Sequence, residues 1–347
     1  MFNRPFAIAC LAAAGIAAAG AASARDLTVV SWGGAYQDAQ KEVYFKPYVA
    51  KSGIKLKDES WDGGIGVLRA KVKGGNADWD VVQVESDELV LGCEEGLFEK
   101  LDWTALGGKQ AYLPAAVHDC GVGAIVYNFV LAYDGDKIKD APKGWADFFN
   151  LAKYPGKRAL RKGAKTNLEI ALMADGVSPK ETYKLLKTEA GIERAFKKLD
   201  QIKAQTIWWE AGAQPPQLLA SGEVAMTSAY NGRVHAANTK DKKNFKIVWD
   251  QSLYTIDSWV MLKGTPNKAQ AVDLLKFLSA ADNQKRLPSF IAYGVTNNAA
   301  TAGIDPKVLP DLPTAPQNIA NAIELDAAYW IENNDKLSDR FTKWAAR

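Results

Sequence analysis

Histidine is nearly missing from this chain, with only His118 and His235 in 347 residues. A zinc centre or a Ser-His-Asp arrangement therefore has almost nothing to build on, and neither histidine lies in a ligand-spaced cluster. Charge of one sign is also scarce. Forty-three Lys and Arg against forty Asp and Glu leave a net charge of +3, with the two signs interleaved along the chain. A nucleic-acid binder would show a larger basic excess gathered on one face. After residue 24 no apolar run approaches the ~20 residues that cross a bilayer. Gly-x-Ser-x-Gly, a P-loop and His-Glu-x-x-His are all absent. Neither catalysis nor a cofactor is expected, and a metal is not expected either.

The beginning of the chain has its own character. Arg4 precedes an apolar, Ala-rich stretch from Phe6 to Gly20, and Ala22-Ser23-Ala24 supplies small residues at the spacing of a cleavage site. Residues 1–24 are read as an export signal peptide, which places the mature protein in the periplasm. Cys10 sits inside the apolar stretch and too early for a lipid-attachment site. Cys93 and Cys120 remain, and in an oxidising compartment one disulfide is favoured over two free thiols. His118 beside Cys120 superficially resembles a thiol–imidazole pair, but the compartment favours the disulfide.

The rest of the chain alternates short β-like runs with amphipathic stretches. Leu27–Trp32, Ile54–Trp61 and Asp80–Val84 read as strands, with helices through Lys41–Val49 and Ile65–Val72 between them. The order repeats later: strands at Ala159-Leu160, Thr206–Trp209 and Val224–Tyr230, helices at Leu168–Ala174, within Pro179–Lys203 and at Pro215–Ala220. Strands Phe245–Trp249 and Ser258–Leu262 and a helix from Lys268 to Ala280 follow. Such β-α-β order predicts an α/β fold, mostly parallel sheets flanked by helices. No Gly/Ser linker separates the two halves, which implies rigid lobes joined by crossing strands and able to close on a hinge.

Aromatic residues gather where strands end. Trp32 and Tyr36 flank Gly33-Gly34, Trp61 precedes Gly63-Gly64, and Trp208-Trp209 close a strand. Tyr230 precedes Asn231-Gly232-Arg233, and Tyr293 precedes Gly294. Ligands of open α/β sheets bind outside the carboxyl ends of strands. Aromatic faces there can hold an alkyl chain and an ammonium, each contact contributing about 0.5–2 kcal/mol. Any one of these rings could simply cap a core; together they point to a pocket.

The order of several blocks resembles the periplasmic spermidine/putrescine-binding proteins of ABC importers, over essentially the whole mature chain. Its carriers are Val30-Ser31-Trp32 with Tyr36, Trp79-Asp80-Val81-Val82, Gly121–Asn128 and Trp145-Ala146-Asp147-Phe148. Gln217–Val224, Asp257-Ser258-Trp259 and Tyr293–Asn297 complete it. The resemblance implies a type II-like two-lobed binding-protein fold with a ligand cleft between the lobes. Residues 25–131 plus 258–310 would form the first lobe and 132–257 the second, with helices in 311–347 packing on one of them. It also implies that Trp32 and Tyr36 pack on the ligand chain, that Asp257 grips an ammonium and that Tyr293 lines the cleft.

Two departures from that family bear on the ligand. Arg161–Thr166 stands where polyamine binders place carboxylates ahead of a helix, and Arg233 stands where a second aspartate is usual. Glu85 occupies a loop position where serine is common. A diammonium ligand needs a carboxylate at each end, because a buried, unpaired ammonium is expensive. A guanidinium at one end instead offers a planar fork for a carboxylate. The expected ligand is thus a zwitterionic ω-amino acid such as 4-aminobutyrate, bound by Trp32, Tyr36, Glu85, Trp208, Tyr230, Arg233, Asp257 and Tyr293. If Arg233 pairs instead with Glu85, Glu210 or Asp257, putrescine or spermidine remains the ligand. A secreted enzyme or a ferric-ion receptor on a similar fold are the further alternatives. The expected partners are the small ligand and an inner-membrane ABC permease, with the protein a monomer.

Overall fold

The computed structural model describes residues 25–74 and 78–347. The expected signal peptide, residues 1–24, lies outside the described residues, as does Gly75 at the end of the second expected helix. Ten strands form one continuous sheet: β1 (Leu27–Ser31), β2 (Leu56–Ser60), β3 (Val81–Val84), β4 (Val117–His118), β5 (Gly121–Asp134), β6 (Arg158–Arg161), β7 (Thr206–Trp209), β8 (Met226–Tyr230), β9 (Phe245–Met261) and β10 (Ile323–Glu324). The main path runs β2-β1-β3-β9-β5-β8-β6-β7. One wing, β2-β1-β3, is parallel, and so is the other, β8-β6-β7. β5 and β9 span both wings and run antiparallel to each other, with β9 antiparallel to its neighbour β3 and β5 antiparallel to its neighbour β8. Each lobe is therefore a mixed sheet and not simply a parallel one. A strand that leaves one lobe for the other has to return, and its return is antiparallel.

β9 is a single strand of 17 residues where the sequence reads as two separate ones. The polar stretch Asp250-Gln251-Ser252 imitates a turn. In the fold it forms an irregularity in the ladder, where the partner of β5 jumps from Val248 to Leu253 and Gln251 takes a φ of 58°. The inner strands β1, β3 and β5 are buried on both faces, as a sheet covered by helices requires, while the edge strands β2 and β7 are partly exposed. The helix Asn167–Ala174 is buried along its whole length and forms the centre of the second lobe.

The final segment does more than add helices to one lobe, since β10 extends the sheet beside β9. The helix Ala327–Ala345 then lies on the second lobe. There Arg340 pairs with Glu189 and Glu193, and the Trp344 indole donates to Asp200. The same helix also touches the helix Ser86–Glu94 of the first lobe. Cys93 and Cys120 form the expected disulfide, tying that first-lobe helix to the start of β5. The sulfurs are thus engaged with each other, while His118 Nδ1 accepts a hydrogen bond from the Cys120 backbone. Among the described residues no helix is long and apolar enough to cross a membrane.

Candidate functional site

Between the two wings lies a cavity of ≈ 40 Å³, small and walled by aromatic rings. Its lining begins where β1 ends. Gly33 and Gly34 adopt φ of 60° and 54°, a left-handed turn that leads from Trp32 into the helix Gly34–Gln40 and sets Tyr36 inward. Trp32 stacks on Trp61, with centroids 5.3 Å apart. Tyr36 meets Tyr293 edge-on, and Tyr127 meets both Tyr230 and Tyr293. These rings leave the cavity a floor of one kind, the side chain of Asp257.

Asp257 sits on β9 opposite Ile125 and is 3% exposed. Gln83 Nε2 approaches its Oδ2 at 3.4 Å, while Oδ1 has no hydrogen-bond partner. Gln83 is itself anchored: its Oε1 accepts from Ser31 and Gln40, and its Nε2 donates to the Tyr36 hydroxyl. The carboxylate is thus aimed by a buried polar network and left half satisfied. Burial first, then the charges of Glu85 and Glu88, push the Asp257 carboxyl well above the usual carboxylate range, partly offset by Tyr127 and Trp32. A ligand cation at Oδ1 would relieve both the missing partner and the charge imbalance.

Cations occupy the opposite side. Arg161, the last residue of β6, donates from Nη1 to Glu85 Oε1 at 2.8 Å, and Lys165 bridges Glu85 and Asp87. Burial opposes ionisation of Glu85, yet Arg161 and Lys165 together pull its carboxyl down to about 2. Glu85 therefore lines the cavity with its charge already matched. It also caps the helix Ser86–Glu94, in a reciprocal capping box with Glu88. Burial and the neighbouring charges of Glu85 and Asp87 raise the Glu88 carboxyl to about 7.

Arg233 lies in the first turn of the helix Asn231–Lys240 and reaches across the cleft. Its Nη1 and Nη2 donate to the backbone carbonyls of Gly33 and Trp32, at 2.8 and 3.0 Å. It pairs with none of Glu85, Glu210 or Asp257 among the described residues, and its Nε is buried without a partner. A Cβ on Gly34 would come within 2.7 Å of Nη1, so the glycine is what admits the guanidinium. Arg233 is thus first a clasp between lobes, with one donor left over.

Seven of the eight residues singled out in the sequence line this cavity: Trp32, Tyr36, Glu85, Tyr230, Arg233, Asp257 and Tyr293. Trp208 does not. Neighbours on a strand face opposite ways, and on β7 it is Trp209 that turns inward to support Tyr230. Trp208 faces away, edge-on to Phe341 and Trp344 of the terminal helix. Tyr127 and Arg161 are lining residues that the sequence alone did not single out. Tyr127 is mid-strand in a buried run and looks like core. Arg161 showed itself only as an arginine in a segment where the related polyamine binders carry acids.

Comparison with known proteins fits this geometry. The family model described as bacterial extracellular solute-binding protein matches residues 44–316. A gamma-aminobutyric acid-binding protein of Pseudomonas aeruginosa is 46% identical over 331 residues, 95% of this chain and 94% of its own. The solved Atu4243-GABA receptor is 36% identical with a TM-score of 0.81, covering 93% of this chain and 98% of that one. The spermidine/putrescine-binding protein of Streptococcus pneumoniae, at 16% identity and a TM-score of 0.70 over 92% of this chain and 99% of its own, shares the fold. Two α/β lobes, a small aromatic cleft and these matches agree: the chain belongs to the bacterial extracellular solute-binding proteins.

Proposed function

We propose that this protein captures 4-aminobutyrate, or a close ω-amino acid homologue, in the periplasm and presents it to an ABC permease. The observation that carries the reading is the half-satisfied Asp257 carboxylate at the floor of an aromatic cavity whose other side holds Arg161 and Arg233. The ligand ammonium sits at Asp257 Oδ1 among Trp32, Tyr36, Tyr127 and Tyr293, where ring faces add cation–π attraction. The methylene chain fills the ring-lined space. The carboxylate takes the free donors of Arg161 and the Arg233 Nε. A diamine fits less well, because its second ammonium would meet Glu85 already matched by Arg161 and Lys165. Contacts from both lobes make the ligand a stabiliser of the closed form. The ligand is bound and released unchanged.

Isothermal titration of the chain lacking residues 1–24 tests this directly, with 4-aminobutyrate, 5-aminovalerate, putrescine and spermidine as probes. Saturable heat is expected with the ω-amino acids and little with the diamines. The reverse order would return Asp257 to a polyamine site and overturn the carboxylate assignment. Chromatography of the released ligand should recover it chemically intact.

A further inference from the structure

Trp208 and its surroundings form a second hollow. A groove of ≈ 550 Å³ lies between the mouth of the cleft and the terminal helix Ala327–Ala345. It adjoins the inner cavity, since Asp62, Arg161 and Glu210 line both. Its floor is apolar, with Trp208 against Phe341, and its rim carries Lys162 and Thr342. Lys162 pairs with Glu210 at 3.0 Å, an exposed pair that rearranges at little cost.

The shared residues fix which end of a ligand can enter. Asp257 is at the closed floor and belongs to the inner cavity alone, whereas Arg161 stands at the junction. A ligand with its ammonium on Asp257 therefore points its carboxyl end at the groove. The inner cavity, at ≈ 40 Å³, is the more confined of the two, and the groove, at ≈ 550 Å³, supplies the space beyond it. An extension at the amine end would instead run into the floor of Asp257, Gln83 and Tyr36.

We infer that the groove over Trp208 is an outer subsite, which accepts ω-amino acids extended at the carboxyl end through an amide bond to a second amino acid. The inference rests on the reading of the inner cavity as an ω-amino acid site. In such a ligand the amide carbonyl replaces one carboxylate oxygen as acceptor for Arg161. The added residue lies on the indole of Trp208, and its terminal carboxylate meets Lys162. Most of the groove belongs to the second lobe and the terminal helix, so it exists whether or not the lobes have closed.

The experiment is calorimetric, with three probes: 4-aminobutyrate, 4-aminobutyryl-glycine and N-acetyl-4-aminobutyrate. The aminobutyryl dipeptide is expected to bind within about tenfold of 4-aminobutyrate, and the acetylated compound not at all. Thr342→Trp, which fills the groove from the exposed face of the terminal helix, should weaken the dipeptide by about tenfold or more and leave 4-aminobutyrate within about twofold. Lys162→Ala, on an exposed side chain that supports no core, should weaken the dipeptide selectively by several-fold. The inference is overturned if the dipeptide fails to bind while 4-aminobutyrate does, or if neither variant separates the two ligands. Failure of 4-aminobutyrate itself would instead remove the inner-site reading.

Discussion

Two buried carboxylates, one at the cleft and one inside the second lobe, look alike until their surroundings are compared. Asp257 at the floor of the cleft and Glu169 in the heart of the second lobe each have one oxygen without a hydrogen-bond partner. Burial raises both carboxyls, Glu169 to about 7. Glu169, however, lines no part of the cavity at Asp257. Its Oε1 accepts from the Tyr183 hydroxyl at 2.8 Å and from the Trp330 indole at 2.7 Å. Tyr183 in turn accepts from the backbone of Asp326, so this network pins the C-terminal segment to the lobe. Around Asp257 the missing partner faces a cavity. An unsatisfied buried carboxylate marks strain in either place, and only adjacent room for a ligand turns it into a binding group.

The largest effect should come from abolishing the difference at its source. Asp257→Asn keeps the shape and removes the charge that meets the ammonium. Titration of 4-aminobutyrate should show a loss of about 2–5 kcal/mol, thirtyfold or more in Kd. The unliganded variant should melt at the same temperature or higher, since Asn removes a buried group whose ionisation burial disfavours. A variant that loses stability and keeps its affinity would place Asp257 in the same class as Glu169.

The same carboxylate should couple binding to protons. In the empty site burial favours the protonated form of Asp257, with Glu85, Glu88, Tyr36, Tyr127, Tyr230 and Tyr293 around it and Arg233 opposite. A bound ammonium favours the ionised form. Binding therefore releases a proton, and affinity rises with pH until the empty site has lost that proton by itself. Calorimetry in buffers of different ionisation enthalpy reads the release, which Asp257→Asn should eliminate. Equal heats in all buffers would mean that Asp257 is ionised before the ligand arrives.

The backbone plan of this site was largely open to reading from the sequence, and its side-chain roles were open only in part. A strand end followed by a glycine pair led to Trp32 and Tyr36, because turns in the left-handed region leave a glycine signature. Arg233 was noticed for its charge, but its two carbonyl acceptors on Trp32 and Gly33 are two hundred positions away in the chain, beyond any local pattern. Trp208 and Trp209 are indistinguishable by composition, and the register of β7 alone decides which one turns inward. Tyr127 had no signal, since a lining residue within a strand buried on both faces reads as core. The break in β9 looked like a turn for a physical reason, as polar residues accumulate both at turns and at bulges.

Arg233 offers an intermediate effect that sharpens the contrast between holding a ligand and holding a conformation. Arg233→Lys retains the charge and loses the fork across the Trp32 and Gly33 carbonyls. Affinity for 4-aminobutyrate should fall by about tenfold. Small-angle scattering should show a smaller ligand-induced compaction than in the unaltered protein. Gly34→Ala should act in the same direction without touching the ligand, because its Cβ would displace the guanidinium. Weaker binding with full compaction would make Arg233 a ligand contact and not a clasp.

The smallest effect on binding belongs to Glu169, whose influence should appear in stability alone. Its folded-state carboxyl lies at about 7 against an ordinary value of 4.5. The folded protein therefore holds this proton more tightly than the unfolded chain, so its contribution is fully present below pH 4.5 and is lost as pH rises towards 7. The slope within that window reaches at most about 1.4 kcal/mol per pH unit. Glu169→Gln removes the ionisation while keeping an oxygen for Tyr183 and Trp330. Above pH 7 the variant should melt a few degrees higher than the unaltered protein, and the two should converge towards pH 4.5. Glu88, whose carboxyl is also raised to about 7, adds its own slope to both proteins, so the difference between their melting curves isolates Glu169. Affinity for 4-aminobutyrate should be unchanged, because the network around Glu169 holds the C-terminal segment and none of its members lines the cavity at Asp257. Parallel melting curves would mean that Glu169 is ionised in the folded lobe, and the likeness between the two carboxylates would then end at their burial.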